Sequence, residues 1–349
     1  MIGVIGGYGD IGRQVIQLLT KRGYKDITIG SRRQDMKDAV PWTYVDIEKE
    51  ESLYPFMSRH FIVINTAGPS SLLSLKAAKC ALKAGCHYID CGYAPEMDRL
   101  SAEDTSQCIL YHMGSVPGFS ELLPLVFQDD FAQVQNFRHF YSITGTFTRT
   151  AAMDFVAGIF RGNGGMPLGA ADKIPELTEL QQYYSHAERI LPYQNHHTAQ
   201  VQKRMNGGEA QWYHVICGSN INAFYKELLK KYFQDRETLA DELCQAAQRD
   251  CRLLPSQVTF LIEMEGINHK GESRKNSYYL QAPGQSVLSA AFCTGVCECL
   301  LEGSVKPGIG WIDKLINPAA VFEKVKQYGL INVKKMVHDG LNEEEEGLL

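Results

Sequence analysis

The sequence predicts an α/β protein in which an N-terminal doubly wound parallel sheet is followed by a second, α+β domain. Three observations predict this fold. The first 120 residues alternate between short apolar runs and amphipathic stretches, as the strands and crossover helices of a parallel sheet do. A glycine-rich turn joins the first of these runs to the first amphipathic stretch. After about residue 125, longer strand-like runs are separated by long helical segments, which is typical of an α+β arrangement.

Six apolar runs define the strands of the N-terminal part. They are Ile2–Ile5, Ile27–Gly30, Thr43–Val45, Phe61–Asn65, Tyr88–Cys91 and Ile109–Met113. Helices are predicted at Ile11–Arg22 and at Leu72–Ala84, the second ending at Gly85 as at a helix C-cap. Strands and helices in this alternation form a doubly wound sheet, which binds ligands at the carboxyl ends of its strands.

The later part of the chain contains longer elements. Strand-like runs are predicted at Arg138–Thr144, Trp212–Cys217 and Gln257–Gly266. Between them, Ile221–Arg252 is predicted to be helical with a break near Asp235, and Val287–Leu301 forms a further helix.

Composition excludes several classes of function. The 349 residues carry a formal net charge of -5, so the chain has no general attraction to nucleic acid or to anionic membranes. No run of about 18 apolar residues predicts a membrane span, and no basic leader precedes the apolar start, so we expect a cytoplasmic protein. The ten cysteines are expected to be reduced. Cys293, Cys297 and Cys299 are expected in a core, because no second cluster completes a four-ligand metal site.

The stretch "VIGGYGDIGRQVIQLL" is the first candidate for a binding site. Gly7, Gly9 and Gly12 have the G-x-G-x-x-G spacing, and Gly6 also permits a G-x-x-G-x-x-G spacing. Directly after a strand and before a helix, such glycines allow a tight turn whose backbone N–H groups approach a pyrophosphate. The alternative is a plain turn between strand and helix.

The residues after the second strand select the cofactor. An acidic side chain in this place accepts hydrogen bonds from a ribose and favours NAD, but here Ser31, Arg32 and Arg33 follow the strand. Guanidinium groups are permanently charged, planar donors that suit a 2′-phosphate. The sequence therefore favours NADP(H), with a solvated arginine loop as the alternative.

Two further segments follow strands of the sheet. Asp46 follows the third strand, where it has two compatible roles: acceptor for the adenine amine, or N-cap of a helix in "IEKEESLY". The loop "NTAGPSS" follows the fourth strand, where small residues allow a cofactor to approach. Its alternative is a helix cap and turn.

Taken together, "GGYGDIGR", "GSRR", "VINTAGPSSLLSLKAAKCALKAGCHYIDCG" and "GSVPGFSELLP" resemble the saccharopine dehydrogenase group of NADP-dependent oxidoreductases. The resemblance covers roughly the first 125 residues and returns weakly in "GQSVLSAAFCTGVCECLLEGSVKPGIGWIDKL". It implies a Rossmann-type domain over 1–125 that is completed by a returning segment of about 285–349. It also implies a substrate and dimerisation domain over 126–284, and a homodimer.

The resemblance also implies a role for each matched residue. The pyrophosphate would meet Gly7, Gly9, Asp10, Ile11 and Gly12, and the adenosine phosphate would meet Ser31, Arg32 and Arg33. The route to the nicotinamide would be lined by Asn65, Ala67, Gly68 and Pro69, and the nicotinamide end by Asp90, Pro117 and Gly118.

Candidate catalytic residues come from both parts of the chain. In "HYIDCGYAPE", strand alternation places Asp90 and Tyr93 toward the carboxyl-end cleft, although Asp90 also suits a structural role in capping loop amides. In "GTFTRTAAMDF", Arg149 is a candidate for holding an anionic substrate group, and Thr148 or Thr150 is a candidate helix cap. His196–His197 is predicted to lie in a solvated loop, and no metal site is predicted.

These observations predict an NADPH-dependent reductase. Hydride transfer to a C=N bond of an amino-acid-derived or carrier-bound substrate is the expected chemistry. The chain is shorter than the saccharopine-forming enzymes of the lysine pathway, and Gln133–Gly284 contains no motif that matches the family. The identity of the substrate is therefore open. Two alternatives remain: an enoyl reductase that acts in trans on C=C bonds, and a non-catalytic NADP-binding sensor or scaffold.

Overall fold

The computed structural model describes residues 1–34, 39–92, 94–100, 105–160, 174–205, 208–231, 234–311, 315–338 and 344–348. The chain forms two compact units. The first contains Met1–Leu122 and Ser286–Leu330, and the second contains Leu123–Gln285 and Ile331–Leu349.

A seven-stranded parallel sheet forms the centre of the first unit. Its strands are β1 Ile2–Ile5, β2 Ile27–Ser31, β3 Trp42–Tyr44, β4 Ile62–Asn65, β5 His87–Asp90, β6 Cys108–Leu110 and β12 Gly308–Gly310. The strand order is β12-β6-β5-β4-β1-β2-β3, with every pair parallel. The order reverses at β1 and β4, where doubly wound sheets bind dinucleotides. The six predicted strands are confirmed, with ends that differ by at most three residues.

Helices cover this sheet, either with one apolar stripe or, over Gln285–Leu301, with buried residues on every face. They are α1 Asp10–Lys21, α2 Glu50–Arg59, α3 Ser70–Ala84, α4 Phe119–Phe127, which continues into the second unit, α10 Gln285–Leu301 and α11 Pro318–Gln327. Helix α3 ends at Gly85, whose φ of 69° is left-handed, so the predicted C-cap is confirmed. Cys293, Cys297 and Cys299 are buried on α10, as expected of core residues.

A half-buried ion pair attaches the returning helix to α1. Arg22, directly after α1, donates from Nε to Oε1 of Glu298 on α10 at 2.8 Å. The hydroxyl of Tyr328, directly after α11, donates to Oε2 of the same carboxylate at 2.8 Å. Glu298 is only 2% exposed and Arg22 is 38% exposed. One carboxylate thus joins three helices of the first unit.

The second unit is built on a mixed sheet of seven strands. They are β7 Gln133–Thr144, β8 Ala187–Pro192, β9 Glu209–Cys217, β10 Gln257–Ile267, β11 Ser273–Ala282, β13 Asn332–His338 and β14 Glu344–Leu348. The order is β14-β13-β11-β10-β7-β9-β8, and only the β7–β9 pair is parallel. The predicted fold class, a doubly wound sheet with a second α+β domain, is confirmed.

The described part of the second unit also contains helices. They are α5 Arg149–Phe160, α6 Leu177–Leu180, α7 His196–Arg204, α8 Ser219–Leu228 and α9 Arg236–Asp250. The predicted break near Asp235 is confirmed, because this residue is the N-cap of α9 and accepts from the backbone N–H of Thr238 at 3.0 Å. The predicted loop at His196–His197 is wrong. These residues begin α7, because the side chain of Asn195 accepts from Thr198 N at 2.8 Å and caps the helix.

The C-terminal segment divides between the two units. We expected a return to the first unit over about 285–349. In the structure, Ser286–Leu330 groups with the first unit and Ile331–Leu349 groups with the second. The physical reason is pairing: β13 adds to the mixed sheet antiparallel to β11, and β14 adds to β13. Across the described residues, no helix has both the length and the apolar character needed to cross a membrane.

We predict that Glu298→Gln destabilises the protein by about 1–3 kcal/mol, because the change removes the buried charge that Arg22 and Tyr328 contact. The measurement is the free energy of urea unfolding. Glu302→Gln is the matched control, since Glu302, directly after α10, forms an ion pair with Lys324 of α11 but is 53% exposed, and its effect should be much smaller. Equal effects of the two changes would contradict the prediction.

Candidate functional site

A cleft of about 740 Å³ opens in the first unit at the carboxyl ends of β1, β2 and β4. Of the predicted cofactor-binding residues, Gly9, Ser31, Arg32, Arg33, Asp46, Ala67, Gly68 and Pro69 line it. Its wall also contains residues that sequence reasoning did not assign to the site: Ile5, Gly6, Tyr8, Gly30, Val45, Ile47, Glu48, Leu72 and Leu73. The predicted segments therefore meet in one concave surface.

The glycines of the opening turn have different physical roles. A Cβ on Gly12 would lie 2.3 Å from the carbonyl oxygen of Gly6 and 2.7 Å from Cα of Gly7, so only glycine lets α1 pack this closely on the turn. Gly6 has a φ of 77°, and its own Cβ would meet the backbone N of Ala67 at 2.8 Å. A Cβ on Gly9 would meet only the Gly6 oxygen, at 3.2 Å. Gly9 therefore faces the cleft, whereas Gly7 and Gly12 lie buried beneath it.

The first turn of α1 presents backbone donors toward the opening of the cleft. The N-cap is Gly9, which has no side chain to bond the N–H groups of the first turn. Asp10 is exposed and Ile11 is half-buried in this turn. The unsatisfied donors and the helix dipole together favour an anionic ligand, so the turn fits the pyrophosphate role predicted for these residues.

Two arginines define the charge at the β2 end of the cleft. Arg32 and Arg33 are both exposed and line the cleft. Ser31 holds their backbone in place, since its hydroxyl donates to the carbonyl oxygen of Arg33 and accepts from Nε1 of Trp42 at 3.1 Å. Across the described ranges, no carboxylate forms an ion pair with either guanidinium. The pair is therefore available to a phosphate.

A mainly apolar wall lies beside the arginines. Val45 and Ile47 are buried and Leu72 is 66% exposed, and all three line the cleft. Asp46 accepts from the N–H of Glu48 at 3.1 Å, so its carboxylate stabilises a turn. The predicted N-cap role of Asp46 is wrong, because α2 begins later, at Glu50. This wall suits a flat base such as adenine, and its signal in the sequence is the apolar pair on either side of Asp46.

A buried carboxylate supports the loop at the other side of the cleft. Asp90 is 1% exposed and accepts from Nδ2 of Asn65 at 3.0 Å, from the N–H of Gly92 at 2.8 Å and from the hydroxyl of Tyr88. Asn65 in turn accepts from the N–H of Ala67 at 3.1 Å. Burial raises the pKa of Asp90, and the hydrogen bonds from Tyr88 and Asn65 act in the opposite direction. Asp90 and Asn65 thus position the loop from beneath rather than line the cleft.

The "SVPGF" turn is held by a second buried carboxylate. Gly118 has a φ of 131° and donates from its N–H to Oε2 of Glu121 at 2.6 Å. Its Cβ position lies 2.4 Å from the carbonyl oxygen of His112, so no side chain fits there. Pro117 is half-buried and Gly118 is buried, and neither lines the cleft. Their predicted place at the nicotinamide end stays a prediction.

The remaining catalytic candidates are Arg149 and Tyr93. Arg149 lies in the second unit at the start of α5, where it donates to Glu237 at 2.7 Å and to Asp241 at 2.9 Å. Its guanidinium is therefore paired with two carboxylates of α9. Its role toward a substrate stays a prediction. Thr148 accepts from Ala151 N at 3.3 Å, which confirms a helix cap here. Tyr93 lies outside the described residues.

A known protein-family model matches the part of the chain that forms this cleft. The model of the saccharopine dehydrogenase NADP-binding domain matches residues 2–112. Over these residues the chain is similar to that family's NADP-binding domain. The predicted resemblance is confirmed for this domain, and the cofactor is NADP(H). No curated protein sequence matches the chain at a significant level.

Solved structures extend the likeness of fold to the whole chain. Apo saccharopine dehydrogenase (L-Glu forming) from Saccharomyces cerevisiae is 12% identical, with a TM-score of 0.67 over 97% of this chain and 99% of that one. At this identity the likeness shows a shared fold. A meso-dapdh mutant with DAP from Clostridium tetani E88 is also 12% identical, with a TM-score of 0.48 over 93% of this chain and 95% of that one.

We predict different effects for two glycine substitutions in the turn. Gly12→Ala should lower the stability of the cofactor-free protein by about 1–3 kcal/mol, because its Cβ meets backbone atoms that cannot move independently. Gly9→Ala should leave that stability nearly unchanged and weaken NADPH binding, since its Cβ projects toward the cleft. Thermal unfolding and NADPH titration measure the two effects. Loss of stability in both variants to the same degree would contradict this division of roles.

The buried carboxylate predicts a pH dependence of stability. The pKa of Asp90 in the folded protein is raised above its ordinary value near 4, so the folded state binds this proton more tightly than the unfolded state. The protonated side chain therefore adds its full contribution to the free energy of unfolding below about pH 4. The contribution is lost as pH rises through the folded pKa. Asp90→Asn mimics the neutral acid, so over this range the wild type should lose stability relative to the variant. Urea unfolding at a series of pH values measures the difference, and parallel pH profiles would rule it out.

Proposed function

We propose that the protein is an NADPH-dependent oxidoreductase that reduces a C=N bond in an amino-acid-derived or carrier-bound substrate. One observation carries the cofactor side of this proposal. In a domain of an NADP-binding family, two exposed arginines and a helix start without a side-chain cap border the same cleft. The arginines suit the 2′-phosphate and the helix suits the pyrophosphate.

The chemistry of hydride transfer defines what the chain's own residues must do. NADPH supplies the hydride when bound. The chain supplies the anion-binding turn, the arginines and the loop Asn65–Pro69, whose backbone Asp90 holds in place. Asp90 is engaged by its own neighbours, so we assign it the positioning of this loop rather than proton transfer. The C=N choice derives support from the name of the matched family and from the fold shared with a saccharopine dehydrogenase.

We predict that Arg32→Ala and Arg33→Ala each weaken NADPH binding by roughly 10- to 100-fold, which corresponds to about 1.4–2.7 kcal/mol. NADH lacks the 2′-phosphate, so its affinity should change little. Fluorescence titration with both cofactors gives the two dissociation constants. Arg59→Ala is the control, since Arg59 is an exposed arginine at the end of α2 that does not line the cleft. An equal loss for both cofactors would refute the phosphate role.

Turnover assays separate the proposed reaction from its alternatives. The loss of NADPH absorbance is followed with a 2-oxo acid plus an amino acid, which together form an imine, and separately with an α,β-unsaturated thioester. Oxidation of NADPH with the imine mixtures supports the proposal. Oxidation with the thioester alone would make the protein an enoyl reductase, and tight NADPH binding without any turnover would favour a sensor or scaffold.

A further inference from the structure

The second unit contains a partly exposed imidazole within a wall of tyrosines. We call Tyr141, Tyr193, His214 and Tyr225 the His214 cluster. The ring of His214 on β9 stacks on Tyr141 of β7, with centroids 4.4 Å apart and planes 7° apart. Tyr193 meets Tyr141 edge-on at 5.0 Å. The three tyrosines are buried, whereas His214 is only partly so. The imidazole is therefore the polar group that this wall presents outward.

The neighbouring hydroxyl fixes which ring nitrogen carries the proton. The hydroxyl of Tyr225 on α8 lies 3.4 Å from Nδ1 of His214. A buried phenol hydroxyl needs an acceptor for its proton, and Nδ1 is the acceptor that the described residues offer. Tyr225 therefore donates to Nδ1, which leaves the ring proton on Nε2. No described residue forms a hydrogen bond with Nε2, so this N–H is available as a donor.

The described side chains that contact His214, Tyr141 and Tyr225, are uncharged. Burial lowers the pKa of His214 to about 3, and no charged group contributes to that shift. The side chain is therefore a neutral donor at physiological pH. Phe155 lies 6.0 Å from Tyr225, and Leu191 faces His214 across the β8–β9 pair, so the flanks of the imidazole are aromatic or aliphatic.

A neutral N–H donor with apolar neighbours, such as Nε2 of His214, favours an uncharged hydrogen-bond acceptor on the ligand. A carboxylate placed here would lose hydration without gaining a cation, which costs several kcal/mol. A carbonyl oxygen of an amide or thioester loses much less hydration and accepts one hydrogen bond. We propose that His214 donates a hydrogen bond from Nε2 to the carbonyl oxygen of an uncharged acyl substrate whose apolar part lies against the His214 cluster. This inference rests on the proposed function and assigns its substrate to the carrier-bound type.

The test uses the cofactor-free full chain with nitrogen-labelled histidine. The Nε2 resonance of His214 is identified by its loss in His214→Gln. The N-acetylcysteamine thioester of crotonic acid is then titrated, with crotonate as the charged counterpart. We expect the thioester to shift the Nε2 resonance with saturation, and crotonate to leave it unchanged. Tyr225→Phe should weaken thioester binding only about twofold, because the ring proton is then shared between Nε2 and Nδ1 and about half of the molecules keep the donor on Nε2.

His186→Gln is the matched control, since His186 is an exposed histidine of the same unit, and it should bind the thioester as the wild type does. The readout needs neither NADPH nor turnover. A shift without catalysis would leave this inference intact while the proposed reaction fails. Equal shifts with crotonate, or no shift of His214 with the thioester, would overturn it, and both titrations are carried out on the wild-type protein.

Discussion

The close packing of α1 on the turn that follows β1 is the constraint on which the nucleotide unit depends. The Cβ position of Gly12 lies 2.3 Å from the Gly6 carbonyl oxygen, so the helix starts directly above the turn and aims its first N–H groups into the cleft. The left-handed Gly6 lies against the backbone of Ala67, and this contact brings the loop after β4 to the same place. One set of steric contacts thus positions two walls of the cofactor cleft.

Buried carboxylates do much of the positioning elsewhere in this unit. Asp90 fixes the loop after β4, Glu121 holds the N–H of Gly118, and Glu298 joins α10 to the end of α1. Each accepts at least two hydrogen bonds, as a buried anion or acid must to offset its lost hydration. Of these three, only Asp90 is a catalytic candidate in the sequence, and its carboxylate is engaged in holding a loop.

Charged and uncharged polar groups lie in different places in the second unit. The ion pairs of Arg149 with Glu237 and Asp241 are exposed on helices, whereas the His214 cluster is aromatic and uncharged. A clamp for a dicarboxylate would need cations within such a cluster, and the described residues around His214 provide none that affects its pKa. This contrast is the physical basis for assigning an uncharged acyl group to the unit.

The sequence by itself determined the N-terminal sheet, the glycine turn and the arginines after β2, because these depend on local periodicity and on which residues a tight turn tolerates. It also determined the break at Asp235, a local cap. Only the tertiary structure showed that Asp90 lies beneath the loop, that α9 occupies Arg149, and that the C-terminal segment divides between two sheets. Those outcomes depend on partners tens to hundreds of residues away, and no local pattern specifies such partners. The His214 cluster also depends on distant partners, because its residues come from separate strands and a helix. No pattern in the sequence marks these residues, and only their packing brings them together.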